Sequence, residues 1–504
     1  MRHILSLLLL LLVLTACDMD CEPYDSIPDT EALHTAKDYS RIRTGLYAPL
    51  RTLCSGSFLI AQELQADGFN AVEGFTGSYS DMHRWLFNAG DATFSDVYGS
   101  WYALAARCNF VIDGTARCDT TTFSADEKLL VRTTVGEAYL LRAMSFFQIA
   151  QLFCTDYNDD TADRPDGGIS LQLHYQPTAN SATYPARSTL RKTYQQICDD
   201  LDEAEARISE RGRMGSNYIT TDIVHAMKAR VALAMQQWEV AAELATSLIN
   251  SRRYILVADR REYRAIWQED AGTETLWQLP ITSLDELASR TGYDFLPYQP
   301  NAINYLPTAE LLGLYDQARD IRFGAFFSRY HLTVPSGAQA DVYLFNKFPD
   351  STAVFRQLGR SESGRFQSEP KVIRIAELYL IAAEAYARLG QTAAATAWLN
   401  LLRKSRIVGY ENESFATQAT LLEAVRDERR RELVGEGQRL VDLKRWHLGV
   451  HRGEPQAASV LLFPGSTTTT KLSRTADDPR MVWPIPQAEI DANPQLRHHQ
   501  NPGY

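Results

Sequence analysis

No cysteine follows Cys198; all seven lie within the first 200 residues. No two have CxxC spacing with histidine nearby, which argues against a structural zinc site. Also missing are a GxSxG nucleophile elbow, a P-loop and an HExxH zinc helix, so the common hydrolase and nucleotide-dependent chemistries have no footing in sequence. The expectation is a protein without cofactor or metal and without catalysis. His498 and His499 are too isolated for a metal site and read as a solvated tail. Positive charge is in deficit: 51 Lys and Arg against 62 Asp and Glu give a net charge of −11. Nucleic acid and anionic lipid both need clustered cations, so neither is an expected partner. Beyond the N-terminus, no apolar run is long enough to span a bilayer.

What is present begins with that N-terminus. A single charge, Arg2, precedes the apolar run Leu5–Leu14, which stops at Leu14-Thr15-Ala16-Cys17. The run is too short for a transmembrane helix, and small residues before a Cys mark a cleavage site. The pattern resembles a bacterial lipobox, which makes residues 1–16 a lipoprotein signal and Cys17 the acylated first residue of the mature chain. Asp18, Asp20 and Glu22 follow closely, and 17–36 reads as an acidic, flexible tether. An acidic cluster beside a lipidated Cys resembles a surface-export signal, so the expected address is the outer membrane, lipid-anchored and cell-surface exposed. In an oxidising compartment the remaining six cysteines allow up to three disulfides, with buried thiols as the alternative. Cys108 and Cys118 are close enough in sequence to staple a helix end to its following loop.

The rest of the chain is patterned mostly as α-helix. Helical periodicity is dense over Lys37–Leu53, Asp96–Arg117, Ala125–Phe153, Thr189–Arg211 and Asp222–Asn250. It returns over Lys371–Arg406 and Thr420–Trp446, the last opening with Thr420 and Glu423 at capping-box spacing. Asn70–Asp91 and Asp259–Pro370 lack that period; they suit loops and short strands, with Asp341–Phe348 a plausible strand. Two segments read as helix pairs joined by short turns. In one, Ala226, Ala229, Ala232 and Ala234 precede Ala241, Ala242, Leu244, Ala245 and Leu248. In the other, Ile375, Tyr379, Ala382, Ala383 and Tyr386 precede Gly390, then Ala394, Ala397, Leu399 and Leu402. Small residues at such contacts resemble tetratricopeptide units, with a generic helical bundle as the alternative. The organisation expected is signal 1–16, tether 17–36, N-terminal helical scaffold 37–260, irregular region 261–370, C-terminal helical pairs 371–450 and closing segment 451–504.

Within the scaffold, Val135, Tyr139, Arg142, Phe146, Ile149 and Phe153 form one helical stripe. An internal guanidinium needs a carboxylate partner, so Arg142 reads as a structural ion pair. Glu377 and Glu384 lie two turns apart among Arg374 and Arg388, and salt-bridged helix charges explain them better than glycosidase acid–base work.

Four segments together resemble the SusD/RagB nutrient-binding lipoproteins of Bacteroidetes. They are Glu137–Phe153 (EAYLLRAMSFFQIAQLF); Ile373–Ala385 (IRIAELYLIAAEA) continuing to Leu399–Arg403; Glu428–Leu433 (ERRREL) with Glu436, Gly437, Arg439 and Asp442–Trp446; and the ending Trp483–Pro486 (WPIP), Glu489, Ile490, Asn493, Pro494 and Gln500–Tyr504. Glu428, Arg429, Glu432 and Arg439 themselves read as ion pairs across a helix and its turn at Gly435–Gly437. The resemblance implies a tetratricopeptide-like scaffold with a loop-rich binding portion. It further implies capture of an oligosaccharide and its delivery to a SusC-like TonB-dependent outer-membrane transporter, with no covalent chemistry. Peptide is the alternative ligand class, and a protein-interaction scaffold without small ligand is the other rival.

A sugar site needs flat rings for C–H faces and planar polar groups for hydroxyls. Loops on a rigid scaffold are the expected place. Loop 67–91 offers Asp67, Phe69, Asn70, Phe75, Tyr79, Arg84, Trp85 and Asn88; a second cluster offers Tyr293, Phe295, Tyr298, Asn301, Asn304 and Tyr305. Trp85 ranks first, because a Trp in a Gly- and Ser-rich loop has little local apolar cover.

Overall fold

The computed structural model describes residues 32–281, 303–348, 368–462 and 472–504. The signal, Cys17, Cys21, the acidic cluster and Tyr293, Phe295, Tyr298 and Asn301 lie outside the described residues. Its longer helices in chain order are α1 Ala36–Tyr47, α2 Ser57–Gln65, α3 Ala92–Gly114, α4 Ala125–Phe153, α5 Leu190–Arg207, α6 Thr221–Ala234, α7 Trp238–Asn250, α8 Arg260–Gln268, α9 Ile375–Arg388, α10 Thr392–Arg406, α11 Gln418–Leu433 and α12 Arg439–Arg445. The strands are β1 Phe69–Ala71, β2 Thr275–Gln278, β3 Tyr305–Pro307, β4 Phe327–Thr333, β5 Gln339–Phe345, β6 Lys371–Arg374, β7 Val450–His451 and β8 Ser473–Arg474.

Helix α4 starts where a capping box dictates. The Ser124 hydroxyl accepts from the Glu127 amide while the Glu127 carboxylate accepts from the Ser124 amide. It packs against α1, α3 and α5; from there α5, α6, α7, α9 and α10 each touch the next, and α11 closes on α9. A mostly helical array of stacked pairs results, as the alanine spacing predicts. Ala226, Ala229, Ala232, Ala241, Ala242 and Ala245 are all buried at the α6–α7 contact. The tight turns use left-handed residues, Gln236 (φ 60°) and Gly390 (φ 75°). One helical face differs from expectation: on α10 Ala395, Leu399 and Leu402 point inward, while Ala397 is exposed. Arg142 forms the expected ion pair, donating to both Asp200 oxygens at 2.8 and 2.6 Å and to Asn109 Oδ1 at 2.8 Å.

The irregular portion packs as a second core around Phe69, Tyr263, Trp267, Tyr305, Phe326 and Phe345. Four antiparallel two-stranded ladders organise it, β1 with β3, β2 with β6, β4 with β5 and β7 with β8. The hairpin β4–β5 contains the expected strand, which runs from Gln339 and ends at Phe345. Several boundaries depart from the sequence reading; the stretch Thr420–Trp446, for one, divides into α11 and α12. Residues 371–374 pair as β6 and do not begin the helix, since β2 supplies a ladder partner. Asp259 caps α8 inside the stretch expected to be irregular. Thr417, with Thr420 as its reciprocal partner, caps α11 in place of the Thr420–Glu423 box. Cys54, Cys108, Cys118, Cys154 and Cys198 are free thiols, so Cys108 and Cys118 form no staple. Among the described residues no helix is long and apolar enough to cross a membrane.

Candidate functional site

Loop 67–91 leaves α2 and returns to α3 by way of β1, and β3 pairs beside it with Asn70 opposite Leu306. That pairing brings Asn304 and Tyr305, the described members of the second predicted cluster, beside the first, although they lie over 200 residues away in sequence. The Asn304 side-chain oxygen accepts from the Thr76 amide at 2.8 Å, and the Tyr305 hydroxyl donates to the Ser78 carbonyl. Gly74 (φ 84°) and Gly77 (φ 89°) turn the loop in a region that side chains avoid; a Cβ on Gly74 would also meet Pro335 at 2.7 Å. Glu73 accepts from the Ser336 amide and hydroxyl at 2.8 and 2.7 Å, tying the loop to the β4–β5 turn. The loop is thus held rigid before any ligand arrives, which lowers the ordering cost of binding.

Several predicted contact residues are spent on that rigidity. Burial acts to raise the Asp67 carboxyl, but the guanidinium groups of Arg430 and Arg439 hold it well below the usual carboxylate range. Arg439 donates to both its oxygens at 2.9 and 2.6 Å. Phe69 is buried, edge-on to Phe345 at 5.4 Å. Asn70 is buried and donates to the Gly453 carbonyl at 3.4 Å. Asn304 and Tyr305 are buried as well.

Trp85 is corrected outright. It turns inward at φ 60°, its exposure is 0%, and its indole N–H donates to the Gln65 carbonyl at 2.9 Å. The ring has no free face for a ligand; it lies 6.1 Å from Phe87, with the Arg474 guanidinium over it at 5.6 Å, a neighbour that local composition does not reveal. Phe75, Tyr79 and Arg84 remain half-buried and Asn88 exposed. Of these, Phe75 stands edge-on to Tyr305 at 6.0 Å, and Asn88 organises the turn into α3 by accepting from the Gly90 amide at 2.9 Å. Two partly open rings on a rigid turn, with a guanidinium and an amide along the same loop, offer stacking surface and hydrogen bonds suited to hydroxyl-rich ligands.

The charged motifs are architectural, with partners other than those expected. Glu428 is held by Arg322, Arg403 and Arg431, and Glu432 by Arg322, Arg374 and Arg406. Arg429 pairs with Asp442, and Arg439 with Asp67. These contacts run from α11 to β6, α10, α12 and the segment before β4, and from α12 to the exit of α2, more than across the Gly435–Gly437 turn. Glu377 is clasped by Arg230 of α6, and Glu384 by Arg445 of α12 with the Trp446 N–H at 2.7 Å. Neither carboxylate is free for acid–base work.

The comparisons with known proteins bear on the chain along nearly its whole length. Residues 328–504 match the family model described as "SusD family", and residues 63–233 one described as "Starch-binding associating with outer membrane". A SusD-like protein of Formosa agariphila is 22% identical, over 97% of this chain and 96% of the relative. The crystal structure of a SusD superfamily protein from Bacteroides thetaiotaomicron superposes with a TM-score of 0.77 at 25% identity, covering 93% of this chain and 100% of the other. A putative sugar binding protein from Bacteroides vulgatus gives 0.74 at 22% identity, covering 94% and 99%.

Proposed function

Because this chain belongs to the SusD/RagB family, we propose that it is a lipid-anchored protein of the outer-membrane surface that captures an oligosaccharide. In this reading it passes the sugar to a SusC-like TonB-dependent transporter. The observation that carries the proposal is the match of residues 63–233 to a model described as starch-binding and associated with the outer membrane. That stretch contains the whole of loop 67–91, whose glycines and cross-strand hydrogen bonds make it a preorganised platform. Phe75 and Tyr79 supply ring surface, and Arg84 and Asn88 supply hydrogen bonds to hydroxyls. Leu14–Cys17 supports the anchor, and Asp18, Asp20 and Glu22 support the outward face. The clasped state of Glu377 and Glu384 supports binding without hydrolysis.

The test is a pull-down of the tagged full-length lipoprotein from its own solubilised outer membrane, with partners identified by mass spectrometry. A stoichiometric TonB-dependent barrel is expected. Its absence in mild detergent, with the protein folded and lipidated, would overturn the delivery role and leave a free-standing binder.

A further inference from the structure

A cleft of about 380 Å³ opens between α3, the connector from Ser170 to Pro185 and the C-terminal closing segment. None of its lining residues belongs to loop 67–91. Its size falls in the range of small-ligand sites, roughly 300–1,000 Å³. One wall comes from α3, where Tyr98 and Tyr102 stand one turn apart on the same face with ring centroids 4.7 Å apart. The Tyr102 hydroxyl donates to the Ser170 carbonyl at 2.9 Å, which fixes that ring against the connector. The connector presents Tyr175 and Tyr184, and the Tyr184 hydroxyl donates to the Thr178 carbonyl at 3.0 Å. Tyr102, Tyr175 and Tyr184 are all half-buried and line the cleft, with Tyr175 edge-on to Phe110 at 4.9 Å.

Two partly or fully buried polar groups in this cleft, Ser170 and Glu489, have no partner among the described residues. Ser170 is only 7% exposed, yet its hydroxyl makes no hydrogen bond. Buried hydroxyls are ordinarily satisfied by protein or water, so this one, on a residue lining the cleft, is open to a partner the chain itself does not supply. The other is the half-buried Glu489 carboxylate, which makes no hydrogen bond or ion pair. It stands in the first turn of the short helix Gln487–Ala492, but the cap residue there is Pro486, which has no N–H to donate back. Burial alone moves its carboxyl upward, with no cation contributing. The imidazole at the opening, His174, lies 3.2 Å from Asp113.

We propose that this cleft is a second saccharide site, selective for sugars without negative charge. Tyrosine faces take the C–H surface of a sugar ring. A bare carboxylate accepts from two neighbouring hydroxyls or from an amine, and repels a uronate or sulfate. A second site rests on the saccharide-binding reading of loop 67–91, but the cleft shares no residue with that loop and needs no transporter to bind.

The experiment is calorimetric titration of the purified full chain in mild detergent, without any barrel. The probes are neutral tetrasaccharides of gluco, manno, galacto and xylo configuration, a glucosamine tetramer, a galacturonate tetramer and trilysine. At least one neutral or amine-bearing tetramer is expected to bind more tightly than the uronate. Glu489→Gln is expected to weaken that binding roughly 10- to 100-fold, the worth of a charge-assisted hydrogen bond. Tyr184→Ala should weaken it too, and both variants should keep the wild-type melting temperature. Equal affinity of wild type and Glu489→Gln would overturn the proposal, as would binding of the uronate alone or of no saccharide. Capture of trilysine without any sugar would replace it with a peptide site.

Discussion

Trp85 is the residue at which local composition and tertiary placement disagree most. Gly- and Ser-rich surroundings suggest an exposed ring, but the left-handed backbone at Trp85 turns the indole inward beneath α2, and the Gln65 carbonyl takes its N–H. Truncation therefore removes a large core side chain and leaves a cavity together with an orphaned carbonyl. Trp85→Ala is expected to lower unfolding free energy by about 3–5 kcal/mol. Urea denaturation checks this: the midpoint should fall with an unchanged slope, while sugar affinity per folded molecule stays at the wild-type value. A stable variant with lost affinity would return Trp85 to the binding surface.

At the scale of elements, the sequence is informative wherever a helix is defined by its own residues. Helix α4 runs over Ala125–Phe153 as its periodicity predicts, because Ser124 and Glu127 fix its start without help from the rest of the chain. The alanine faces of α6 and α7 are legible for the same reason. What could not be read locally is what a distant partner decides. Residues 371–374 become strand because β2 lies alongside, and Glu432 draws three guanidinium groups from separate segments. The candidate loop shows both sides: its glycines mark turns correctly, while the burial of Phe69, Asn70 and Trp85 depends on β3, Gly453 and Gln65. The cleft under the closing segment is not legible in sequence, because Tyr98 and Tyr102 have the spacing of core residues of α3. The turn from α11 to α12 gives a prediction at this scale. Gly435 sits at φ 79°, and a Cβ there would lie 2.6 Å from the Phe345 ring. Gly435→Ala should therefore cost more than the roughly 1 kcal/mol of a left-handed alanine alone. Thr417→Ala, which removes only a cap, should cost about 1 kcal/mol. Paired thermal melts would show the larger drop for Gly435→Ala; the reverse order would mean that the turn relaxes away from Phe345.

The whole molecule is tied together by buried carboxylates, and this sets its response to acid. Glu428 and Glu432 lie at the junction of α10, α11, β6 and the segment before β4, and Glu384 and Asp67 join further elements to it. Burial acts to raise each carboxyl, but neighbouring guanidinium groups overcome it, holding Glu384 at about 2 and the other three well below the usual carboxylate range. A carboxyl with a depressed value in the fold binds fewer protons folded than unfolded in mild acid. Its stabilisation is present above the unfolded value, about 4 to 4.5, and is lost as pH falls toward the folded one. Glu63 acts in the opposite sense: burial pushes it up to about 7 despite hydrogen bonds from the Gly435 and Gly437 amides. Its contribution is full below the ordinary glutamate value and lost as pH rises through about 7. Unfolding free energy should therefore drop steeply below about pH 4 and decline gently across the neutral range. Glu63→Gln should lessen the neutral decline and leave the acid limb in place. Because the acid limb belongs to buried pairs, 1 M salt, with a screening length of about 3 Å, should leave most of it intact. Denaturant titrations at several pH values, with and without salt, check both limbs. An acid limb erased by salt would shift the burden to surface charges, and a neutral slope unchanged in Glu63→Gln would remove that residue from the account.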